Sequence, residues 1–229
     1  MSQNAKKKTL AQKINVMRAA VMGANDGIVS VAGIVIGVAG ATSNNFAIFI
    51  SGISGMLAGT VSMAMGEFVS VNTQKDSQKN AITQQRQALE SSYDHEYGAV
   101  RQKLVSDGIS TELAEQATKE MMTRDPLKTS VRQKYGFNVG EFTNPLSAAV
   151  ASMISFPTGS ILPLVAITMF PRSIRIVATA IAVIIALAIT GYSAAKLGNS
   201  NTSRGMLRNV ISGILTMAVT YIIGTLIGS

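Results

Sequence analysis

Two neighbouring apolar segments that each carry one acidic residue constrain this 229-residue chain more than any other feature. The first contains GANDGIVSVAGIVIGVAGA with Asp26, and the second contains ISGMLAGTVSMAMGEFVSV with Glu67. Each segment is long enough to cross a bilayer, which takes about 20 residues. A carboxylate at membrane depth costs at least ~2.5 kcal/mol, and such residues usually face an ion or proton pathway. The two acids therefore predict a membrane protein that moves charged species.

The distribution of charge favours a lipid bilayer, and not nucleic acid, as the partner of this chain. The net charge is +8, but the ten remaining acidic residues all lie between Asp76 and Glu141, and the ten basic residues of 75–141 balance them. The positive excess flanks the apolar segments, where Lys and Arg set membrane topology. The chain has no Cys, which excludes a disulfide framework and a thiolate metal site.

The apolar pattern predicts an all-α membrane protein with five transmembrane helices and a helical insert between spans two and three. We expect a basic cytoplasmic lead at 1–15, spans one and two at 16–72, the insert at 73–144 and spans three to five at 145–229. The basic lead places the N-terminus and the insert in the cytoplasm. Arg172 and Arg175 fall on the other side and count against this topology. The short termini favour a bacterial plasma membrane, or a vacuolar membrane in a eukaryotic host.

The insert is expected to begin as a helical extension of span two. No Gly or Pro interrupts the sequence beyond Val71, so the first break is predicted at Gly98 or at 106–108. A second, amphipathic helix is predicted with Ser110 or Thr111 as its N-cap. It is expected to end at the Asp125-Pro126 pair, since the residue before Pro is pushed out of the helical region. Its apolar residues at helical spacing are Ile109, Leu113, Ala117 and Met121. A polar stretch then leads back to span three.

The ANDG and SMAMGEFVSV blocks, in this order on adjacent spans, closely resemble the signature of the vacuolar iron transporter family. The resemblance continues through the insert (LVSDGISTELAEQATKEMMTRDPL), span three (NPLSAAVASMISFPTGSILPL) and the last span (GILTMAVTYIIG). It implies a five-span protomer that dimerises and exports Fe²⁺, in several members also Mn²⁺, from the cytosol in exchange for protons. It also implies a cytoplasmic insert that collects metal before the ion enters a pathway between the protomers.

The resemblance assigns pathway residues by motif position: Asn25 and Asp26 in the first block, Met63 and Glu67 in the second. The spacing adds an independent argument, because Met63 and Glu67 are four apart on one helix face, as are Met22 and Asp26. A carboxylate with a thioether suits a weakly held divalent transition ion, and protonation of the carboxylate releases it.

Each of these residues also has a structural interpretation. Methionines in apolar helices are usually packing residues. Asp26 would cap a helix that breaks at the ANDG block, and Glu67 would lie at the membrane surface, where solvation is cheap. The Gly pairs of the apolar segments indicate close helix packing, of which a dimer face is only one use.

The insert contains further candidate metal ligands. Met121, Met122 and Asp125 match a Met-Met-x-x-acid element of the family, and the other candidates are Glu90, Asp94, Glu96 and Glu115, with His95 beside them. Gln78, Gln84, Gln85 and Ala88 stand where relatives are rich in Glu, so we expect weaker metal binding here, or binding only in the dimer. The alternative for Glu90 and Asp94 is a solvated ion-pair face with Arg86 and Arg101.

The sequence therefore predicts a homodimeric exporter of Fe²⁺, Mn²⁺ or both, driven by proton antiport and without a cofactor. Two alternatives are a proton-coupled exporter of another cation and a membrane metal sensor or assembly factor that does not transport. An enzyme is not indicated. The chain shows no nucleophile–base pairing and no Gly-Lys phosphate loop, and its single His lies in the insert.

Overall fold

The computed structural model of the chain describes residues 10–228, which form eight α-helices and no strand. These are α1 (Leu10–Ala41), α2 (Asn45–Ser91), α3 (Tyr93–Ser106), α4 (Thr111–Arg124), α5 (Pro126–Tyr135), α6 (Pro145–Met169), α7 (Arg175–Leu197) and α8 (Thr202–Gly228). Five of them, α1, α2, α6, α7 and α8, are long and apolar enough to cross a membrane. This confirms the predicted helical class and the predicted number of spans. Most of the predicted basic lead lies outside the described residues.

The chain divides into two compact units. The apolar unit comprises Lys13–Val69 and residues 144–228, and the insert unit comprises Ser70–Thr143. The boundary falls within α2, whose apolar first half belongs to one unit and whose polar second half belongs to the other.

The core of the apolar unit is built around α1, which contributes more buried apolar residues to it than any other helix. The buried residues on α1 are Ile28, Val31, Ala32, Val35, Ile36 and Ala39. Phe156 of α6, Leu187 of α7 and Met217 of α8 pack into the same cluster. The helix that carries Asp26 is therefore the one that the other spans surround.

Glycines let α1 and α6 approach until backbone meets backbone. A Cβ added to Gly27 would collide with the carbonyl oxygen of Phe156, and one added to Gly159 would collide with that of Ala24. The Ser160 hydroxyl donates to the carbonyl oxygen of Gly27 at 3.2 Å. Small residues and hydroxyls of this kind are what hold helices together in lipid, where apolar surface gives no association force. The predicted close packing of the Gly pairs is thus confirmed, and it occurs within one chain.

Arg175, which counted against the predicted topology, has a structural role. It is only 5% exposed at the start of α7. Its guanidinium donates to Asn45 Oδ1 at 2.9 Å and to the carbonyl oxygen of Thr42 at 3.3 Å. Thr42 follows the C-terminus of α1, where free carbonyls and the helix dipole favour a cation. The position of this charge is therefore explained by the packing of the α1–α2 turn.

The predicted first break of the insert was wrong. The helix ends at Ser91 and the chain turns at Ser92, while Gly98 lies inside α3. The reason is a buried contact: Gln85 Nε2 donates to Glu96 Oε2 at 2.6 Å. In a continuous helix these residues would be about 16 Å apart along the axis, so the bond requires a reversal between them. The predicted break at 106–108 is confirmed as the end of α3, where Gly108 has φ +96°.

The second helix of the insert has the predicted bounds but a different buried side. Its buried residues are Ala114, Thr118 and Met122, whereas Leu113 is 60% exposed. Ala114 and Met122 pack against two apolar side chains of α3 in the insert core. The buried side is therefore one position away from the predicted stripe, because it is set by where α3 lies.

A further helix, α5, occupies most of the polar stretch that leads back to span three. Asp125 begins it, since its carboxylate accepts the backbone N–H of Lys128 at 3.0 Å and Pro126 takes the first helical position. Both are preferred at a helix N-terminus. Gly136, with φ +74°, ends the helix in the left-handed conformation that Gly adopts freely.

Candidate ion-binding site

Glu67 is a buried acid within the apolar unit, and it is paired with a residue of the neighbouring helix. It is 7% exposed on α2, and Nη2 of Arg18 on α1 lies 3.1 Å from its Oε2. The other terminal nitrogen, Nη1, donates to Met22 Sδ at 3.3 Å. One guanidinium thus contacts an acidic oxygen of Glu67 and the thioether sulfur of Met22, two residues that the sequence predicts to line the transport pathway. Since Glu67 is buried and paired, it does not sit free at a solvated surface.

Sequence reasoning missed Arg18, which it counted only as a charge that sets topology. The available signal was spacing: Arg18 precedes Met22 by four residues, as Met22 precedes Asp26 and Asp26 precedes Ser30. Residues four apart share a helix face. Arg18 therefore lies on the same face of α1 as Met22 and Asp26, where a cation would approach these candidate residues.

Asp26 is exposed on α1, and its Oδ1 accepts a hydrogen bond from Ser30 Oγ at 2.7 Å. Helix α1 continues unbroken through this position. The alternative in which Asp26 caps a broken helix is therefore excluded. The two acids of the apolar segments differ in surroundings, because Asp26 faces outward from its own chain and Glu67 is enclosed.

Asn25 connects three helices. Its Oδ1 accepts a hydrogen bond from Asn209 Nδ2 of α8 at 2.8 Å and lies 3.5 Å from the Thr190 hydroxyl of α7. Interhelical side-chain hydrogen bonds of this type fix the rotation of a helix within an apolar bundle. Asn25 thereby sets which way its neighbour Asp26 points. On α2, Met63 is partly buried and packs against the apolar core.

Glu96 is the buried acid of the insert. It is 5% exposed and accepts from Gln85 at 2.6 Å, while Nζ of Lys134 lies 3.5 Å away and Nδ1 of His95 3.4 Å away. Burial by itself raises the pKa of the Glu96 carboxyl, but the Gln85 hydrogen bond and the Lys134 charge outweigh it, so the pKa lies below its ordinary value. Glu96 is thus held as a carboxylate by groups on three helices.

Glu115 already has partners that a metal would have to replace. It accepts from Arg101 Nη1 at 3.0 Å and from the Tyr97 hydroxyl at 2.9 Å, and these two bonds lower the pKa of its carboxyl. Because Arg101 pairs with Glu115, it is not committed to the ion-pair face proposed for Glu90 and Asp94, both of which are exposed.

Asp125 is in a similar position. The backbone N–H of Lys128 and then its side chain, 2.9 Å away, lower the pKa of the Asp125 carboxyl. Met121 is partly exposed, whereas Met122 is 1% exposed in the core of the insert. Among the described residues, no group of three or more His, Asp or Glu side chains is arranged to hold a metal ion.

Five spanning-length apolar helices, with an ion pair between a half-exposed Arg18 and a buried Glu67 on two of them, define an integral membrane protein with a charged site in its apolar unit. The VIT family model matches residues 17–225. The chain is 35% identical over 206 residues to vacuolar iron transporter homolog 1 of Oryza sativa subsp. japonica, a match that covers 90% of this chain and 71% of that protein.

Two other relatives match over similar lengths. Vacuolar iron transporter homolog 2.1 of Arabidopsis thaliana is 32% identical, over 95% of this chain and 84% of that protein. The vacuolar iron transporter of Acanthamoeba castellanii is 31% identical, over 92% of this chain and 78% of that protein. The chain belongs to the VIT family, whose members are transporters and not enzymes, and the resemblance seen in the ANDG and SMAMGEFVSV blocks is confirmed.

Proposed function

We propose that this protein exports Fe²⁺, Mn²⁺ or both from the cytosol in exchange for protons. The observation that carries the proposal is the buried Glu67 on an apolar helix, linked through one guanidinium to the thioether of Met22. An acid is kept at such a position at a cost, and the usual reason is an ion pathway. The relatives named as vacuolar iron transporters support metal as the substrate.

The chemistry of the candidate ligands fits a divalent transition ion that is held weakly. Carboxylate oxygens of Asp26 and Glu67 suit Mn²⁺, and thioethers of Met22 and Met63 add affinity for later ions. Carboxylates bind metal only when they are deprotonated, so protons that enter from the far side compete with the ion and release it. This competition couples metal export to proton import without a further device.

A flux measurement tests the proposal. Proteoliposomes loaded with a metal-quenched dye receive Fe²⁺ or Mn²⁺ under an imposed pH gradient. Wild-type protein is expected to quench the dye, whereas Asp26→Asn and Glu67→Gln are expected to lose most of the flux. Asp76→Asn is the matched control, because Asp76 is an exposed acid on the polar half of α2 that pairs with Lys79. Metal binding without flux in the wild type would instead support the sensor alternative.

We further propose a homodimer in a bacterial plasma membrane, with the N-terminus and the insert in the cytoplasm. The most apolar stretch of α2 is 11% buried, the lowest share of the five spans, against 17% for α8, 22% for α7 and 44% for α1 and α6, and Asp26 is exposed. A partner that covers these surfaces would enclose Asp26. The chain has no Cys, so disulfide cross-linking of Val61→Cys on α2 tests this, with Ile185→Cys on α7 as the equally outward control. Cross-linking of both alike, or of neither, would contradict an α2 interface.

The insert is proposed to bind metal only weakly, through its acidic side chains and Met121. The support is that Glu96, Glu115 and Asp125 are each engaged by a cationic side chain. Calorimetric titration of the full-length Asp26→Asn/Glu67→Gln variant with Mn²⁺ isolates the insert sites. We expect millimolar or undetectable binding, and tight binding at several sites would overturn this part of the proposal.

A further inference from the structure

Arg18 occupies the place of a cation in the candidate site. Its Nη2 is 3.1 Å from Glu67 Oε2, and its Nη1 is 3.3 Å from Met22 Sδ. These two atoms are of the types that would bind a divalent transition ion, and both are directed at one positively charged group. Arg18 therefore takes the position that a bound cation would have beside Glu67 and Met22, but it is part of the chain.

The exposure of the two partners differs. The side chain of Glu67 is 8% exposed, but that of Arg18 is 44% exposed. The acid is enclosed by the protein, whereas the guanidinium has open space on one side into which it can move. Departure of Arg18 would leave the Glu67 carboxylate and the Met22 sulfur without their cation.

We propose that Arg18 is a tethered competitor that metal must displace to reach Glu67, and that it sets the metal concentration at which transport begins. The inference rests on the proposed transport function. A guanidinium is charged at every physiological pH and is weakly hydrated, so it neutralises a buried carboxylate well when no metal is present. A metal ion and the guanidinium cannot share Glu67 at close range, because like charges repel strongly in a medium of low dielectric constant. Arg18 thus weakens metal binding by competition and keeps scarce metal from being exported.

Arg18→Gln tests this in the full-length protein by removing the charge while retaining a polar side chain. We expect the Kd for Mn²⁺, measured by calorimetry in detergent, to tighten about tenfold, equivalent to 1.4 kcal/mol. The KM for Mn²⁺ flux is expected to fall by a similar factor without a rise in kcat. Lys13→Gln, an exposed site earlier on α1 with the same change of charge, is the matched control and should change neither constant.

Two more variants separate competition from a structural role. Arg18→Lys keeps the charge but loses the two-pronged contact, so its Kd is expected to lie between those of wild type and Arg18→Gln. In the Arg18→Gln/Glu67→Gln protein the gain in affinity should vanish relative to Glu67→Gln alone, because nothing remains to compete for. An unchanged or weaker Kd in Arg18→Gln and Arg18→Lys, with lowered thermal stability, would show that Arg18 serves only as a structural counter-ion.

The same measurements keep the two proposals apart. If the wild-type protein transports metal and Arg18→Gln leaves the Kd for Mn²⁺ unchanged, the proposal that Arg18 competes with metal is overturned and the transport proposal stands. Absence of Fe²⁺ and Mn²⁺ flux in the wild type would overturn transport itself. An affinity gain that persists when Glu67 is neutralised would overturn the competitor, since its action would then lie elsewhere.

Discussion

Each unit of this protein contains one buried glutamate, and the two are held in different ways. Among the residues that the structure describes, Glu67 of the apolar unit has one charged partner, Arg18, which is itself half exposed. Glu96 of the insert accepts from Gln85 and lies near Lys134 and His95, so that polar groups of α2, α3 and α5 surround it. A carboxylate with one movable partner can exchange that partner for an ion. A carboxylate fixed by several donors is part of the framework.

The two glutamates are held differently because the two units have different cores. In the apolar unit, glycines bring helix backbones into contact around one cluster of tightly packed apolar side chains. The insert core is small, with Val100, Leu104, Ala114 and Met122 as its buried apolar residues. A small core leaves more of the stability to polar contacts such as the buried hydrogen bond from Gln85 to Glu96.

The largest difference between the two glutamates is expected in transport. Glu67→Gln should lower metal flux by about a hundredfold, the upper end of what supporting groups of a metal site cost. Glu96→Gln should leave flux within about threefold of wild type, because its role is structural. Initial rates in proteoliposomes measure both variants under the same gradient. Equal losses of flux in the two variants would contradict the proposed difference between Glu67 and Glu96.

The same difference between the two units is expected for one methionine of each unit, Met63 and Met122. Met63→Leu is expected to lower flux about tenfold with little change in stability, since the two side chains are similar in volume but only one offers a ligand atom. Met122→Leu is expected to change flux by less than about twofold, because Met122 is fully enclosed in the insert core. Flux and thermal unfolding of both variants provide the check. A Met63→Leu protein with unaltered flux would make Met63 a packing residue.

For stability, a substitution of Glu96 is expected to have a larger effect than one of Glu67. Glu96→Ala leaves Gln85 without its partner in a buried position, and the cost is expected to be about 1–3 kcal/mol. Hydrogen exchange in peptides from α3 to α5 measures the local free energy of opening. Exchange in α6 to α8 serves as the internal control and should stay unchanged. If the insert peptides of Glu96→Ala exchange as slowly as those of wild type, the buried network contributes little.

Acid should destabilise the insert for the same reason. The pKa of the Glu96 carboxyl is lowered in the folded protein, so its contribution is present above the unfolded value of 4.5 and is lost as the pH falls through the folded value. Glu115 and Asp125, with lowered pKa values, act in the same direction. Helical content of the insert is expected to fall below about pH 4.5. Glu96→Gln should flatten this dependence, and an unaltered acid transition would contradict the assignment.

The smallest effect is expected at Asp125. Asp125→Asn removes the ion pair with Lys128 but keeps a good helix N-cap, so stability should change by no more than about 0.5 kcal/mol. Asp125→Ala removes the cap as well and should cost about 1 kcal/mol. Thermal unfolding of the two variants distinguishes the charge from the cap. A large loss in Asp125→Asn would mean that the carboxylate does more than begin α5.

Much of the fold follows from local signals. Span lengths, the turn at 42–44 and the end of α4 before Pro126 are set by apolar length, by polar turn residues and by the steric effect of Pro on its neighbour. The break at Ser92 has no such signal, because it depends on a bond between Gln85 and Glu96 that exists only after the chain reverses. The buried side of α4 likewise depends on where α3 lies, and spacing alone placed it one residue away.

The membrane class, the five spans and the family follow from the amino-acid sequence alone, because length, polarity and motif order are properties of the chain. That Glu67 is buried against Arg18 while Asp26 faces outward is a property of the folded structure. So is the burial of Glu96 against Gln85 of α2 and Lys134 of α5. The physical reason is that a charge acts through its distance to other groups and its exclusion from water, and folding sets both quantities.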